Sequence, residues 1–403
     1  MPPIAVTPVP YGRPALAALR EAVATAKAGD PLAPVTVIVP SNHVGVTARR
    51  LLASDALGPV TAVGRGVAAV DFLTVYRLAE LLGAATLAGR GLRPVSIPSL
   101  SAAVRQVLGA APGLFAPVAD HPATEAALVA SYRELRDLPD AALSAIARTG
   151  PRAADVVRVH RATRAVLAEG WSDEEDLMAA AAERVAADPQ AAAALGPVVV
   201  HLPQLLTLHA AALVRAVAGH QTVQVLAGTT GDPRADADVA TTLARLDVPV
   251  PAPSEPPPAG VGVVAPTVAP DRTRVASASD ADDEVRHAVR QVVAAARAGT
   301  PLDRMAVLHP AADPYARLLH EHLTSAGVAV NGPSPVPLAS RAAGRTLIGL
   351  LALPEQGWRR QAVLDWLGTA PLRHEGRPVP VAAWERLSRE AGVVAGRDQW
   401  DTR

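Results

Sequence analysis

The stretch that most restricts the fold is Val35–Thr36–Val37–Ile38–Val39, a nearly continuous apolar run of strand length. A strand with apolar residues on both faces belongs inside a parallel sheet covered by helices on each side. Its surroundings fit. Ile4 to Thr7 is a short apolar run. Ala15 to Ala28 has helical spacing through Leu16, Leu19, Val23 and Ala26, and Gly29 and Pro31 stop it. Ser41 is a good N-cap for a helix carrying Val44, Val46 and Leu51. This β-α-β-α alternation predicts a doubly wound α/β sheet.

From about 70 to 190 Ala-rich helical patterns take over: Phe72 to Leu82, Leu100 to Leu108, Ala123 to Leu135, Ala153 to Ala168 and Glu174 to Ala187. Ser172 with Glu175 fits a capping box. This stretch reads as a helical insertion into a first domain spanning 1–265. The sheet returns at Pro197 to Val200 and Val223 to Leu226, with a helix over Leu208 to Ala218 that Thr207 can cap. Residues 249–270 are Pro-rich and read as an extended linker. From 271 to 403 a second α/β unit is expected. It has strands at Arg274 to Ala278, Met305 to Leu308 and Val328 to Val330. Its helices run over Glu284 to Ala298 and Tyr315 to Ala326, and a helical region follows. No closing motif precedes Arg403, so a truncated second domain is expected.

Composition excludes several classes. Acidic and basic residues balance at 38 each, so any DNA-binding surface must be local. The absence of cysteine excludes disulfides and thiolate metal sites. No run of 18 apolar residues exists, and the N-terminus lacks the pattern of a signal peptide, so a cytoplasmic protein without membrane contact is expected. Lys27 is the single lysine, and any chemistry that needs a lysine must use it.

Three stretches carry a family resemblance. GWSDEEDLMAAAAERV at 170–185 is similar to the acidic helix ahead of the ATPase acid motif in UvrD/Rep-type helicases. The strand–loop–helix–strand at 198–228 is similar to the one bearing that motif. Residues 277–332 resemble the opening of the second RecA-like domain. Together with PLASRAAGRTLIGLLAL at 337–353, the chain most resembles AddB-type subunits and their actinobacterial relatives, in which a helicase-like front half is joined to a PD-(D/E)XK nuclease. The resemblance implies RecA-like parallel sheets of a degenerate UvrD-type helicase. It implies an accessory, DNA-binding part of an ATP-dependent helicase–nuclease (an exodeoxyribonuclease) in double-strand-break processing and recombinational repair. The partners it implies are DNA and an active UvrD-type helicase–nuclease subunit.

The departures from that family bear on chemistry. A phosphate-binding loop needs G-x-x-x-x-G-K-[ST], because backbone amides cradle the phosphates and the lysine neutralises charge. The corresponding place reads Pro8–Val9–Pro10–Tyr11–Gly12–Arg13–Pro14. Tyr11, Gly12 and Arg13 would be its degenerate remnant; Arg13 reads as a phosphate contact or as a turn residue. The acidic pair that holds magnesium is replaced by His201–Leu202, and His309 stands where active relatives place an arginine. No D-x-K or E-x-K exists for a nuclease site, which would lie beyond Arg403. The chain is therefore expected to have no catalytic site, cofactor or metal of its own, with ATP and magnesium belonging to the parent complex.

The remaining candidates keep two readings each. Arg49–Arg50, with Ser41, lies where the resembled helicases face DNA; phosphate contact and a solvated helix end both fit. Arg359–Arg360 beside Trp358 fits base stacking or surface packing. Asp280, Asp282, Asp283 and Glu284, like Asp173 to Asp176, read as helix-start carboxylates rather than a metal cluster. His320–Glu321–His322 lacks the H-E-x-x-H spacing of a zinc helix. A different class of function stays open: a non-catalytic protein-docking module, or a degenerate gene fragment.

Overall fold

In the computed structural model, which describes residues 4–54, 56–60, 66–249, 274–332, 338–374 and 376–402, the Val35–Ile38 run is strand β2, buried at all four positions. It lies inside a five-stranded parallel sheet with β1 (Ala5–Pro10), β3 (Val70–Leu73), β6 (Val198–His201) and β7 (Val223–Thr229), in the order β1-β7-β6-β2-β3. The fold is thus α/β, and the sheet with its helices is consistent with a RecA-like fold. The chain divides into two compact units, Met1–Thr273 and Arg274–Arg403. The Pro-rich linker expected at 249–270 lies, beyond Pro249, outside the described residues.

Alternate side chains send the sheet's two faces to two cores. Val9, Val35, Val37, Val199 and Leu226 pack under α1 (Arg13–Lys27) and α2 (Asn42–Ala53). Ile38, Val198, Val200, Val223 and Val225 pack under α3 (Val75–Gly89), α8 (Glu174–Ala187), α9 (Leu208–Ala218) and α10 (Ala237–Arg245). Gly83 allows α3 to touch α8 closely, for a Cβ there would stand 2.8 Å from both Ala181 N and Leu177 O.

The insertion is narrower than the 70–190 expected. At its start Val70–Leu73 is a strand paired with β2, and Thr74 caps α3, so the apolar run entering Leu82 is strand and helix in succession. At its end α8 belongs to the sheet's own covering layer. The outlying block is α4 (Ile97–Ala110), α5 (Pro122–Leu135), α6 (Asp140–Ala147) and α7 (Pro151–Ala168). Its core includes Leu100, Val104, Leu108, Leu128 and Val159. A two-residue parallel bridge, β4 (Arg93–Pro94) with β5 (Trp171–Ser172), ties its two ends together. The capping box at α8 is formed by Asp173 and Asp176, one residue later than the predicted Ser172 and Glu175, because Ser172 is engaged in β5.

The second unit departs further. Its helices are α11 (Ala281–Arg297), α12 (Tyr315–Ser325), α13 (Ala342–Ala352), α14 (Arg360–Thr369), α15 (Val381–Glu390) and α16 (Arg397–Thr402). A small antiparallel pair, β8 (Arg373–His374) and β9 (Arg377–Pro378), completes it. The three expected parallel strands are not formed among the described residues, so a second RecA-like sheet is absent there. Val275 and Leu308 are instead 96% and 93% exposed. The two helices that alternate with these runs are as expected, with α11 and α12 joined through Val285, Val289, Leu318, Leu319 and Leu323. An apolar run signals a wish for burial, but a strand exists only when a neighbour completes its hydrogen-bond ladder.

Candidate functional site at the strand ends

Ligands of open α/β sheets dock outside the carboxyl ends of the strands, where neighbouring connections leave to opposite faces. Here that condition is met between β1, which runs into α1 on one face, and β7, which runs into α10 on the other. The expected nucleotide loop falls at this crevice, but Pro8 to Pro10 are strand and Arg13 and Pro14 already belong to α1. Pro8 and Pro10 belong to β1, paired with Ala227 and Thr229 of β7. Both prolines are tolerated because β1 is an edge strand, where an outward position needs no N–H. Only Tyr11 and Gly12 remain between strand and helix. Gly12 takes a positive φ of 88°, and α1 begins at Arg13 with Pro14 in its first turn and no side-chain cap. Two residues supply too few amides to wrap a phosphate chain.

The crevice is also occupied. The Tyr11 ring lies against Gly228 of β7, so closely that a Cβ at 228 would enter the ring. Burial and, after it, the charge of Asp236 push the Tyr11 hydroxyl above its ordinary range. Asp236 accepts hydrogen bonds from Thr230 N and Thr230 Oγ1 at 2.8 Å and from Gly231 N at 3.1 Å. A carboxylate thus takes the loop amides that could have met an anion. Arg13 is exposed beside this turn and makes no ion pair among the described residues.

Lys27 and His201 are both structural. Lys27 is 1% exposed, and its ammonium group donates to Pro31 O at 3.0 Å and Ala33 O at 2.7 Å. Burial lowers its pKa, with Asp30 opposing. His201 ends β6 and is 1% exposed; its Nδ1 has no partner, and burial depresses its pKa to about 4, so it is neutral near pH 7. Leu202 follows with a positive φ of 50°, and the next turn is pinned by Thr242, which donates to Gln204 O and accepts from Leu206 N.

The proposed DNA-facing residues divide between the units. Ser41 caps α2, accepting from Val44 N at 3.4 Å. Arg49 and Arg50 are exposed on the same helix, and α2 contains no acidic residue. Trp358, Arg359 and Arg360 lie in the second unit. Trp358 is half-buried with a positive φ of 51°, its carbonyl accepts from Trp400 Nε1 at 2.9 Å, and Arg359 precedes α14 as its N-cap.

The acidic runs serve helix starts. Asp280 caps α11 through Asp283 N, Asp282 meets Arg286 and His322 at 2.7 Å, and Glu284 accepts from Tyr315. His322 is thus held by Asp282, while Glu321 pairs with Arg317 at 2.9 Å. His309 contacts Ala311 O and stacks on Tyr315. Among the described residues no group of three or more His, Asp or Glu is placed to hold a metal.

A second feature of the first unit is not marked by any sequence motif. A cavity of about 410 Å³ lies where α3 and α8 meet the outlying helical block. It is bordered by a cluster in which the buried Arg136 binds Asp173 and the more exposed Asp176, and Tyr132 Oη donates to Asp173 at 3.0 Å. The available signal was the row Tyr76, Glu80, Ala84, Ala88, whose four-residue spacing places aromatic, acid and two small residues on one helix face.

No protein-family model matches the chain, and no curated protein matches it.

Proposed function

We propose that the chain is a helicase-derived part of an ATP-dependent helicase–nuclease, working on broken DNA in the cytoplasm. It binds DNA there, and the nucleotide chemistry belongs to a UvrD-type partner subunit. One observation supports this reading: a five-stranded parallel sheet, consistent with a RecA-like fold, whose strand-end crevice holds only a two-residue turn and is filled by Tyr11 against Gly228. A motor framework with its phosphate loop lost has no further use as a motor, but its outer edge keeps its use as a track. The acid-free helix α2, with Arg49 and Arg50, supplies local positive charge on a chain of zero net charge.

Phosphate contacts make binding salt-dependent, with about 0.7 logarithmic units of slope per contact on single strands. Binding of a labelled single-stranded oligonucleotide, followed by anisotropy at low salt, is expected to weaken when Arg49 and Arg50 are both changed to alanine, and the salt slope to fall by about 1.4. Absence of binding, alone and with a helicase partner, removes the DNA role. The second unit supports a different reading, a protein-docking module, because Val275, Leu308 and Val330 are exposed. Binding to a helicase partner with no DNA affinity in either state favours that reading.

A further inference from the structure

The cavity between α3, α8 and the outlying helices is independent of the strand-end crevice and of the DNA reading. We propose that it is a binding site for a small organic cation, an alkyl- or arylammonium whose chain lies along Ala84 and Ala88 and whose ammonium group meets Glu80 and Glu174.

The shape follows from α3. Tyr76, Glu80, Ala84 and Ala88 form one row, about 18 Å long at the rise of an α-helix. The alanines leave space where larger residues would fill it. Leu87 of the same helix, with Leu100 of α4 and Leu177 of α8, also lines that space; they are 5%, 4% and 8% exposed and give the chain-binding end an apolar wall. A volume of about 410 Å³ suits a small molecule rather than a few waters.

The head-group end is acidic. Its lining holds the carboxylates of Glu80, Asp173, Glu174 and Glu175 against the guanidinium groups of Arg133 and Arg136. Arg136 is committed to Asp173 and Asp176. Glu80 pairs with Arg77, and Glu175 accepts from Thr207 Oγ1 at 2.9 Å and lies 3.0 Å from His209 Nδ1. Glu174 is exposed and makes no ion pair among the described residues. Tyr76 stands close enough to Glu80 and Glu174 for both carboxylates to push its hydroxyl upward, after the larger effect of burial. Carboxylates beside an aromatic ring are the surroundings that stabilise an ammonium group. Arg133 is exposed on the α5 side and is the one opposing charge free of an acidic partner within the lining. An anionic ligand would have to use it.

The test is calorimetric titration of the full chain at low ionic strength with n-hexylammonium, 1-hexanol and hexanoate. Hexylammonium is expected to bind about tenfold more tightly than hexanol, as one charge-assisted contact provides, and hexanoate to bind weakest. Glu174→Gln should bring hexylammonium close to hexanol without changing the affinity for hexanol. Ala88→Phe, at an exposed helix position, should fill the space and abolish binding of both; its melting temperature reports that the fold is intact. If Ala88→Phe does not fold, Glu174→Gln decides alone. Equal affinity for hexanol and hexylammonium, tighter binding of hexanoate, no binding at all, or binding indifferent to these substitutions overturns the proposal.

Discussion

Arg136 is 6% exposed and shared between Asp173 and Asp176. Burial raises the Asp173 carboxyl, but the hydrogen bonds and charge of Arg136 outweigh it and hold the group at about 2. Removing one partner of a buried pair leaves a charge without compensation, at a cost of about 3–5 kcal/mol. Arg136→Met is therefore expected to lower the urea-unfolding free energy by that amount, and Asp173→Asn, which keeps a capping oxygen, by less. The two kinds of titrating group act in different pH windows. A depressed carboxyl contributes stability above its unfolded value near 3.9, lost as pH falls through about 2. His201 and His160 are held neutral, both at about 4, mainly by burial. The unfolded chain binds their protons first, so stability falls as pH drops from about 6.5 toward 4. His201→Leu should remove about 2–3 kcal/mol of the difference between the urea-unfolding free energies at pH 7 and about 4.5. An unchanged difference would mean that His201 is protonated in place.

At the scale of elements, α3 and α8 are joined at Gly83, where no side chain fits against the Ala181 and Leu177 backbone. Gly83→Ala removes a poor helix former, which by propensity alone would stabilise α3 by about 1 kcal/mol. The clash with backbone is expected to win, with a net loss of about 1–3 kcal/mol in thermal or urea unfolding. A stabilised variant would show that the two helices separate easily. Elements also mark what the sequence made legible. β2, β6 and β7 were readable because their apolar runs have turn signals at both ends. Strand β3 was not, since Val70–Leu73 passes into α3 with only Thr74 between them. The three apolar runs of the second unit form no strands among the described residues, because hydrophobicity does not name a ladder partner. The crevice was half legible. The missing Gly-Lys pair was visible in the sequence, but Tyr11 over Gly228 joins residues more than 200 positions apart and needed the sheet order.

For the whole molecule, the account rests on a separation between framework and chemistry. The five-stranded parallel sheet has a crevice at its strand ends, where open α/β sheets dock ligands, yet Lys27 is spent on two carbonyls, Asp236 on its own loop, and Tyr11 on filling the space. The most direct measurement is equilibrium binding of a fluorescent ATP analogue with magnesium to the full chain, with turnover followed in parallel. The account predicts no saturable binding up to about 1 mM, the level that corresponds to about 4 kcal/mol of binding energy, and no hydrolysis, in the native chain and in Tyr11→Ala alike. Saturable binding below that concentration in the native chain, lost on changing Arg13 to alanine, would contradict it.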